Sequence, residues 1–62
     1  MQFKIKDWYD TYHCFDSRNV RTLKGYDTYP HCEIHITFNN KSKLNLEVTE
    51  EEYSKFMRKW EK

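Results

Sequence analysis

Two short segments with alternating hydrophobicity in the second half of the chain constrain its fold most strongly. Residues 32–38 (CEIHITF) and 43–48 (KLNLEV) place an apolar side chain at every second position, as half-buried β-strands do. Residues 39–42 (NNKS), which separate them, favour a turn. The sequence therefore predicts a β-hairpin with one apolar face. The predicted cross-strand pairs are Phe38 with Leu44, Ile36 with Leu46, and Ile34 with Val48.

A helix is predicted directly after the hairpin. Thr49 and Glu52 form the capping-box pattern, in which a threonine precedes a glutamate by three positions. Three glutamates follow Thr49, and basic residues gather toward the C-terminus, as the helix dipole favours. The apolar residues have helical spacing and should pack on the apolar face of the hairpin. These residues are Tyr53, Phe56, Met57 and Trp60.

The first half of the chain gives weaker signals. Phe3 and Ile5 alternate with polar residues, which predicts a strand that ends or bulges at Asp7. Residues 9–15 are rich in β-formers, 16–19 favour a turn, 20–23 a short strand, and 24–27 a second turn. The alternative is that residues 9–30 form a long functional loop, which is uncommon in compact domains.

Together these elements predict one domain over residues 1–62. A chain of 62 residues buries roughly 60% of the surface of its unfolded form, so its stability should be modest. The predicted fold class is α+β: a small antiparallel β-meander of three or four strands, with one C-terminal α-helix packed on one face. The predicted core consists of Phe3, Ile5, Ile34, Ile36, Phe38, Leu44, Leu46, Val48, Tyr53, Phe56, Met57 and Trp60.

Composition excludes several functional classes. The only glycine is Gly25, which excludes the glycine-rich phosphate-binding loops and the G-x-S-x-G nucleophile motif. No apolar run approaches the ~18 residues of a membrane span. We expect no enzyme activity, because a chain this small leaves little room for a deep pocket. The first residues lack the apolar region of a signal peptide, and two cysteines suit a reducing compartment, so we expect a cytoplasmic protein.

A short repeat raises the question of a metal site. Residues 9–14 (YDTYHC) recur at 26–32 with one proline inserted. The candidate ligands are His13, Cys14, His31 and Cys32, and histidine and cysteine are common zinc ligands. However, adjacent residues of a strand point to opposite faces, so a histidine and the cysteine after it cannot both bind one ion. We therefore expect no metal or other cofactor and keep a zinc-stabilised structural module only as a third hypothesis.

Exposed aromatic and basic residues of the first half predict a binding surface. Tyrosine, tryptophan and arginine are typical of protein–protein interfaces, so a protein partner is expected. The predicted patch consists of Trp8, Tyr9, Tyr12, Arg18, Arg21, Tyr26 and Tyr29. The alternative is weak binding of single-stranded nucleic acid by the same patch, with Lys4, Lys6 and Lys24 at the phosphates. The net charge of only +1 argues against a strong nucleic-acid binder. The N-terminal strand also offers an edge for a homodimer.

Overall fold

The strands form two antiparallel sheets. The computed structural model describes residues 1–61. The first sheet pairs β1 (Gln2–Lys6) with β2 (Tyr12–Asp16). A short 3-10 turn at Ser17–Asn19 leads into the second sheet. That sheet has the strand order β3–β4–β5 and contains β3 (Val20–Tyr26), β4 (Cys32–Phe38) and β5 (Lys43–Val48).

One α-helix, α1 (Glu50–Trp60), follows β5. Thr49 is its N-cap, and the threonine side chain accepts a hydrogen bond from the Glu52 amide, at 3.2 Å. This bond satisfies one of the amides that a helix N-terminus leaves without a partner, which is the predicted cap. The predicted α+β class, with a strand meander and a helix packed on the sheet, is confirmed, although the meander has five strands rather than three or four.

A single hydrophobic core joins both sheets and the helix. The ring of Phe56, on α1, contacts the rings of Phe3 and Phe15 in the first sheet. Phe15 also meets Phe38 of β4, so α1 and the β1–β2 hairpin share the apolar face of the three-stranded sheet. All twelve predicted core residues are buried or pack against the buried cluster, which also includes Phe15 and Cys32.

The register of the β4–β5 hairpin differs from the predicted one by two residues. The observed pairs are Ile36 with Leu44, Ile34 with Leu46, and Cys32 with Val48. The turn is tighter than predicted: the Lys41 amide donates to the Phe38 carbonyl, and Lys41 adopts a left-handed φ of 73°. A type I turn followed by a left-handed residue is a common hairpin loop. A shift of two residues keeps every side chain on its face, so hydrophobic alternation cannot distinguish the two registers.

Strands fill most of the ambiguous middle segment. Residues 12–16 and 20–26 are strands, so the alternative of one long loop over residues 9–30 is wrong. The predicted turn at residues 24–27 is also wrong, because β3 continues through Gly25 to Tyr26. Gly25 faces the core, where a β-carbon would lie 2.6 Å from the Tyr53 hydroxyl. Its role is to admit the tyrosine ring against the strand rather than to form a turn.

Candidate functional site

The outer face of the three-stranded sheet, which points away from the core, carries a row of aromatic and carboxylate side chains. Tyr26 pairs with Glu33, and Glu33 pairs with Glu47, so the three residues form one row across β3, β4 and β5. The Trp8 amide extends the row, because it donates a hydrogen bond to the Glu47 carbonyl at the outer edge of β5. Local β-sheet geometry therefore brings together residues that are far apart in the sequence.

At one end of this row, an imidazole supports an exposed tyrosine. The rings of Tyr26 and His35 have centroids 4.9 Å apart. His35 Nε2 lies 2.8 Å from Glu33 Oε1, which fixes the imidazole from its other side. Tyr26 remains 43% exposed, so its ring is held in place and is still accessible to a partner.

At the other end, the same arrangement holds Trp8. The rings of Trp8 and His31 have centroids 5.5 Å apart, and His31 Nε2 lies 2.7 Å from Glu47 Oε2. Trp8 is 44% exposed. Two aromatic–histidine–glutamate triplets thus lie side by side on the outer face. We call this set the aromatic–histidine cluster, and it consists of Trp8, Tyr26, His31, Glu33, His35 and Glu47.

The turn that carries Trp8 is organised by one carboxylate. Asp7 Oδ1 accepts hydrogen bonds from the amides of Tyr9 and Thr11, and Asp7 Oδ2 lies 2.8 Å from His13 Nε2. The hydrogen bond with His13, supported by the two amides, lowers the pKa of Asp7 below its ordinary value. The position of Trp8 is therefore defined on one side by this turn and on the other by β5.

The two glutamates of the cluster bring two carboxylates close together. Glu33 and Glu47 face each other in a cross-strand pair. The Phe38 amide donates a hydrogen bond to the Ser42 carbonyl. The hydrogen-bonded pairs between β4 and β5 therefore fall at the even-numbered positions of β4. Glu33 and Glu47 therefore occupy a non-hydrogen-bonded pair, where Cα atoms are only about 4.5 Å apart. Like charges in this arrangement repel. Each glutamate also lies within hydrogen-bond distance of a histidine.

The structure divides the predicted patch rather than bringing it together. Trp8 and Tyr26 belong to the cluster, and Tyr9 and Tyr29 are exposed in the connections that adjoin it. Arg21 lies five residues from Tyr26 along β3, which is about 16 Å at the rise of a strand.

Arg18 and Tyr12 are engaged elsewhere. Arg18 donates to both carboxylate oxygens of Asp16, at 3.3 and 3.0 Å, beyond the end of β2. This guanidinium holds the pKa of Asp16 well below its ordinary range. Tyr12 lies on the outward side of the β1–β2 hairpin, where the Lys4 ammonium is 4.4 Å from the centre of its ring.

The three lysines of the nucleic-acid alternative lie on two different sheets. Lys4 and Lys6 alternate with the buried Phe3 and Ile5, so they face outward from the first sheet. Lys24 lies opposite His35 on the outer face of the second sheet. Lys4 and Lys6 therefore belong to one sheet and Lys24 to the other.

Three of the four metal-ligand candidates each contact a different carboxylate. His13 bonds to Asp7, and His31 to Glu47. Cys14 is exposed on β2, whereas Cys32 is buried on β4. Burial raises the pKa of the Cys32 thiol, which donates to Asp27 Oδ1 at 3.3 Å. Within residues 1–61, no three or more histidine, cysteine or carboxylate side chains are placed to hold one metal ion.

The predicted binding patch does not include Glu33, His35 and Glu47, and His31 appears in the predictions as a metal-ligand candidate. The sequence does indicate which face these residues occupy. Glu33 and His35 alternate with the buried residues of β4, and Glu47 alternates with those of β5. The information that was missing is the pairing of β3 with β4, which places Tyr26 beside them.

No protein-family model, curated protein or solved structure matches this chain. Over residues 1–61, no helix has the length and apolar character needed to cross a membrane, since α1 has 11 residues.

Proposed function

We propose that the chain is a small, non-enzymatic binding module that recognises another protein through the aromatic–histidine cluster. The observation that carries this proposal is the support given to two half-exposed aromatic rings. Trp8 and Tyr26 each lie against an imidazole, and each imidazole is bound to a glutamate. Aromatic rings fixed before binding lose little conformational freedom when a partner covers them, which is characteristic of interface hot spots.

The cluster also favours a particular partner chemistry. Glu33 and Glu47 each approach a histidine through a single carboxylate oxygen. A guanidinium or ammonium placed between the two glutamates would relieve their repulsion. The flanking rings of Trp8 and Tyr26 would add cation–π attraction. We therefore expect the partner to present an arginine or a lysine to this face.

A binding role suits this face better than catalysis. His31 and His35 lie on an open sheet surface, with side chains 24% and 39% exposed. General acid–base catalysis depends on a positioned substrate and gains from the exclusion of water.

We place the protein in the cytoplasm, because its thiols, Cys14 and Cys32, are both free and lie in different sheets.

The proposal is tested by capture from a lysate of the source organism with tagged protein. Three variants are compared with the wild type: Trp8→Ala, Tyr26→Ala and, as a matched control, Tyr12→Ala. Tyr12 is an exposed tyrosine of the first sheet and lies outside the cluster. The expected result is a discrete protein that resists nuclease and is retained at high salt by the wild type and the control. Both cluster variants should lose it.

Two results would contradict the proposal. Retention of the same protein by all four proteins would place the interface elsewhere. Loss of the captured material to nuclease and to salt would instead favour the nucleic-acid alternative, because phosphate contacts weaken steeply as salt rises.

A further inference from the structure

β1 has one edge that no strand of residues 1–61 occupies. At the two ends of the β1–β2 pair, the Ser17 amide donates to the Met1 carbonyl and the Asp7 amide donates to the Thr11 carbonyl. Main-chain groups of successive residues in a strand point to opposite edges, so the odd-numbered residues of β1 are the ones that bond to β2. The even-numbered residues must direct their amides and carbonyls to the other edge.

The even-numbered residues of β1 are Gln2, Lys4 and Lys6. The same alternation reaches Trp8, whose amide points away from β2 and finds the Glu47 carbonyl at 2.6 Å. Before that point, β1 has only one neighbouring strand in the described part of the chain, which is β2. The free edge therefore offers the main-chain donors and acceptors of three residues for strand pairing.

A groove of about 880 Å³ runs between this edge and α1. Apolar side chains from both walls line it, among them Ile5 and Phe56. Its charged lining residues are four lysines and one glutamate. They are Lys4 and Lys6 on β1, and Glu52, Lys55 and Lys59 on α1. The groove is thus apolar at its base and basic at its rim.

We propose that this groove binds an extended acidic peptide, which adds to β1 as a further strand. Side chains of the added strand alternate with a period of two, as Lys4 and Lys6 do, so acidic residues at every second position would meet both lysines. Lys55 and Lys59 are four positions apart on one face of α1 and supply positive charge from the opposite wall.

Two other occupants fit the groove less well. A second copy of β1 would bring lysines to face lysines across the new strand pair, which is repulsive. A nucleic acid could place phosphates against the lysines, but it would leave the main-chain groups of Gln2, Lys4 and Lys6 without strand partners. Edge lysines alone are a common protection against unwanted pairing. The lysines of α1 extend the positive charge to the opposite wall of the groove, which favours an acidic strand.

The probe is a fluorescent seven-residue peptide that alternates glutamate and valine, with blocked ends, and binding is measured by fluorescence anisotropy. The Lys55→Gln/Lys59→Gln double variant should weaken binding roughly fivefold, from the ordinary strength of two exposed ion pairs. The matched control, Lys24→Gln/Lys43→Gln, removes two lysines from the outer face of the second sheet and should leave binding unchanged. A peptide with glutamine in place of glutamate should bind far more weakly.

N-methylation of the peptide separates strand addition from simple charge attraction. An added strand directs the main chain of every second residue toward β1, so methylation of one alternate set of amides should abolish binding. Methylation of the other set should leave it intact. Equal binding of both methylated peptides, or tighter binding of a single-stranded thymidine oligonucleotide than of the acidic peptide, would overturn the proposal. The test uses a surface outside the aromatic–histidine cluster, so its outcome is independent of the proposed function.

Discussion

Removal of the Phe56 ring is the perturbation that best tests how the molecule is held together. Phe56 is 4% exposed, and its ring contacts those of Phe3, Phe15 and Trp60 at centroid distances of 5.5, 6.0 and 6.1 Å. It therefore joins α1 to the β1–β2 hairpin. Phe56→Ala should remove nearly the whole transfer free energy of the side chain and leave a cavity between the two sheets and the helix.

The expected cost is a large part of the total stability. Substitutions of buried phenylalanine by alanine cost roughly 3–5 kcal/mol. A chain of 62 residues has a free energy of unfolding of about 3–9 kcal/mol at ordinary values per residue. Phe56→Ala should therefore lose at least about a third of the free energy of unfolding and should be unfolded at room temperature if the wild type lies near the lower end of that range, whereas Phe56→Leu should stay folded with a smaller loss.

The assay is urea denaturation followed by circular dichroism for the wild type, the two Phe56 variants and a surface control. Lys55→Ala is the control, because Lys55 directly precedes Phe56 on the same helix and its side chain is exposed. The control should shift the free energy of unfolding by no more than about 0.5 kcal/mol. A loss below about 1 kcal/mol in Phe56→Ala would refute the packing of α1 on the hairpin, because removal of a fully buried ring lowers the free energy of unfolding by more than that.

Three further predictions concern other parts of the fold. Gly25→Ala should destabilise by roughly 1–3 kcal/mol through its clash with Tyr53, and a double-mutant cycle with Tyr53→Ala should show a smaller cost in that background. In the native protein, a thiol reagent should label Cys14 rapidly and Cys32 only as the protein opens, since burial raises the pKa of the Cys32 thiol; equal labelling rates would contradict this. The lowered pKa of Asp7 stabilises the fold above its unfolded-state pKa, and this contribution is lost as the pH falls through the lower folded-state value. Denaturation curves should therefore show a stability difference between wild type and Asp7→Asn that shrinks as the pH falls below about 4.

The elements that depend on local sequence were predictable, and those that depend on distant contacts were not. Helix α1 begins at its predicted cap because Thr49 and Glu52 are three residues apart and interact directly. The β4–β5 hairpin was predictable from alternation, but its register was not, because the left-handed turn at Lys41 decides it. Gly25 suggested a turn from its residue type alone, whereas its actual role depends on Tyr53, 28 positions later in the sequence.

The candidate site shows the same limit. Trp8 and Tyr26 were identified because exposed aromatic residues are distinctive in a sequence. Their supports, the histidines and glutamates of the cluster, come from strand pairing and from a connection that precedes β4. The same pairing separates Arg21 from Tyr26 along one strand, although the two residues are close in the sequence. The residues of the predicted patch are close in the sequence, but the sheet places them in separate parts of the surface.

Photocross-linking in cells of the source organism tests the central claim most directly. A benzophenone amino acid replaces Tyr26 in one protein and Tyr12 in a second, so both carry an aromatic probe at an exposed position. Position 26 should yield a discrete protein adduct that survives nuclease treatment and disappears when Trp8→Ala is introduced, and position 12 should not yield that adduct. The same adduct from both positions, or an adduct at position 26 that contains nucleic acid, would contradict recognition of a protein by the aromatic–histidine cluster.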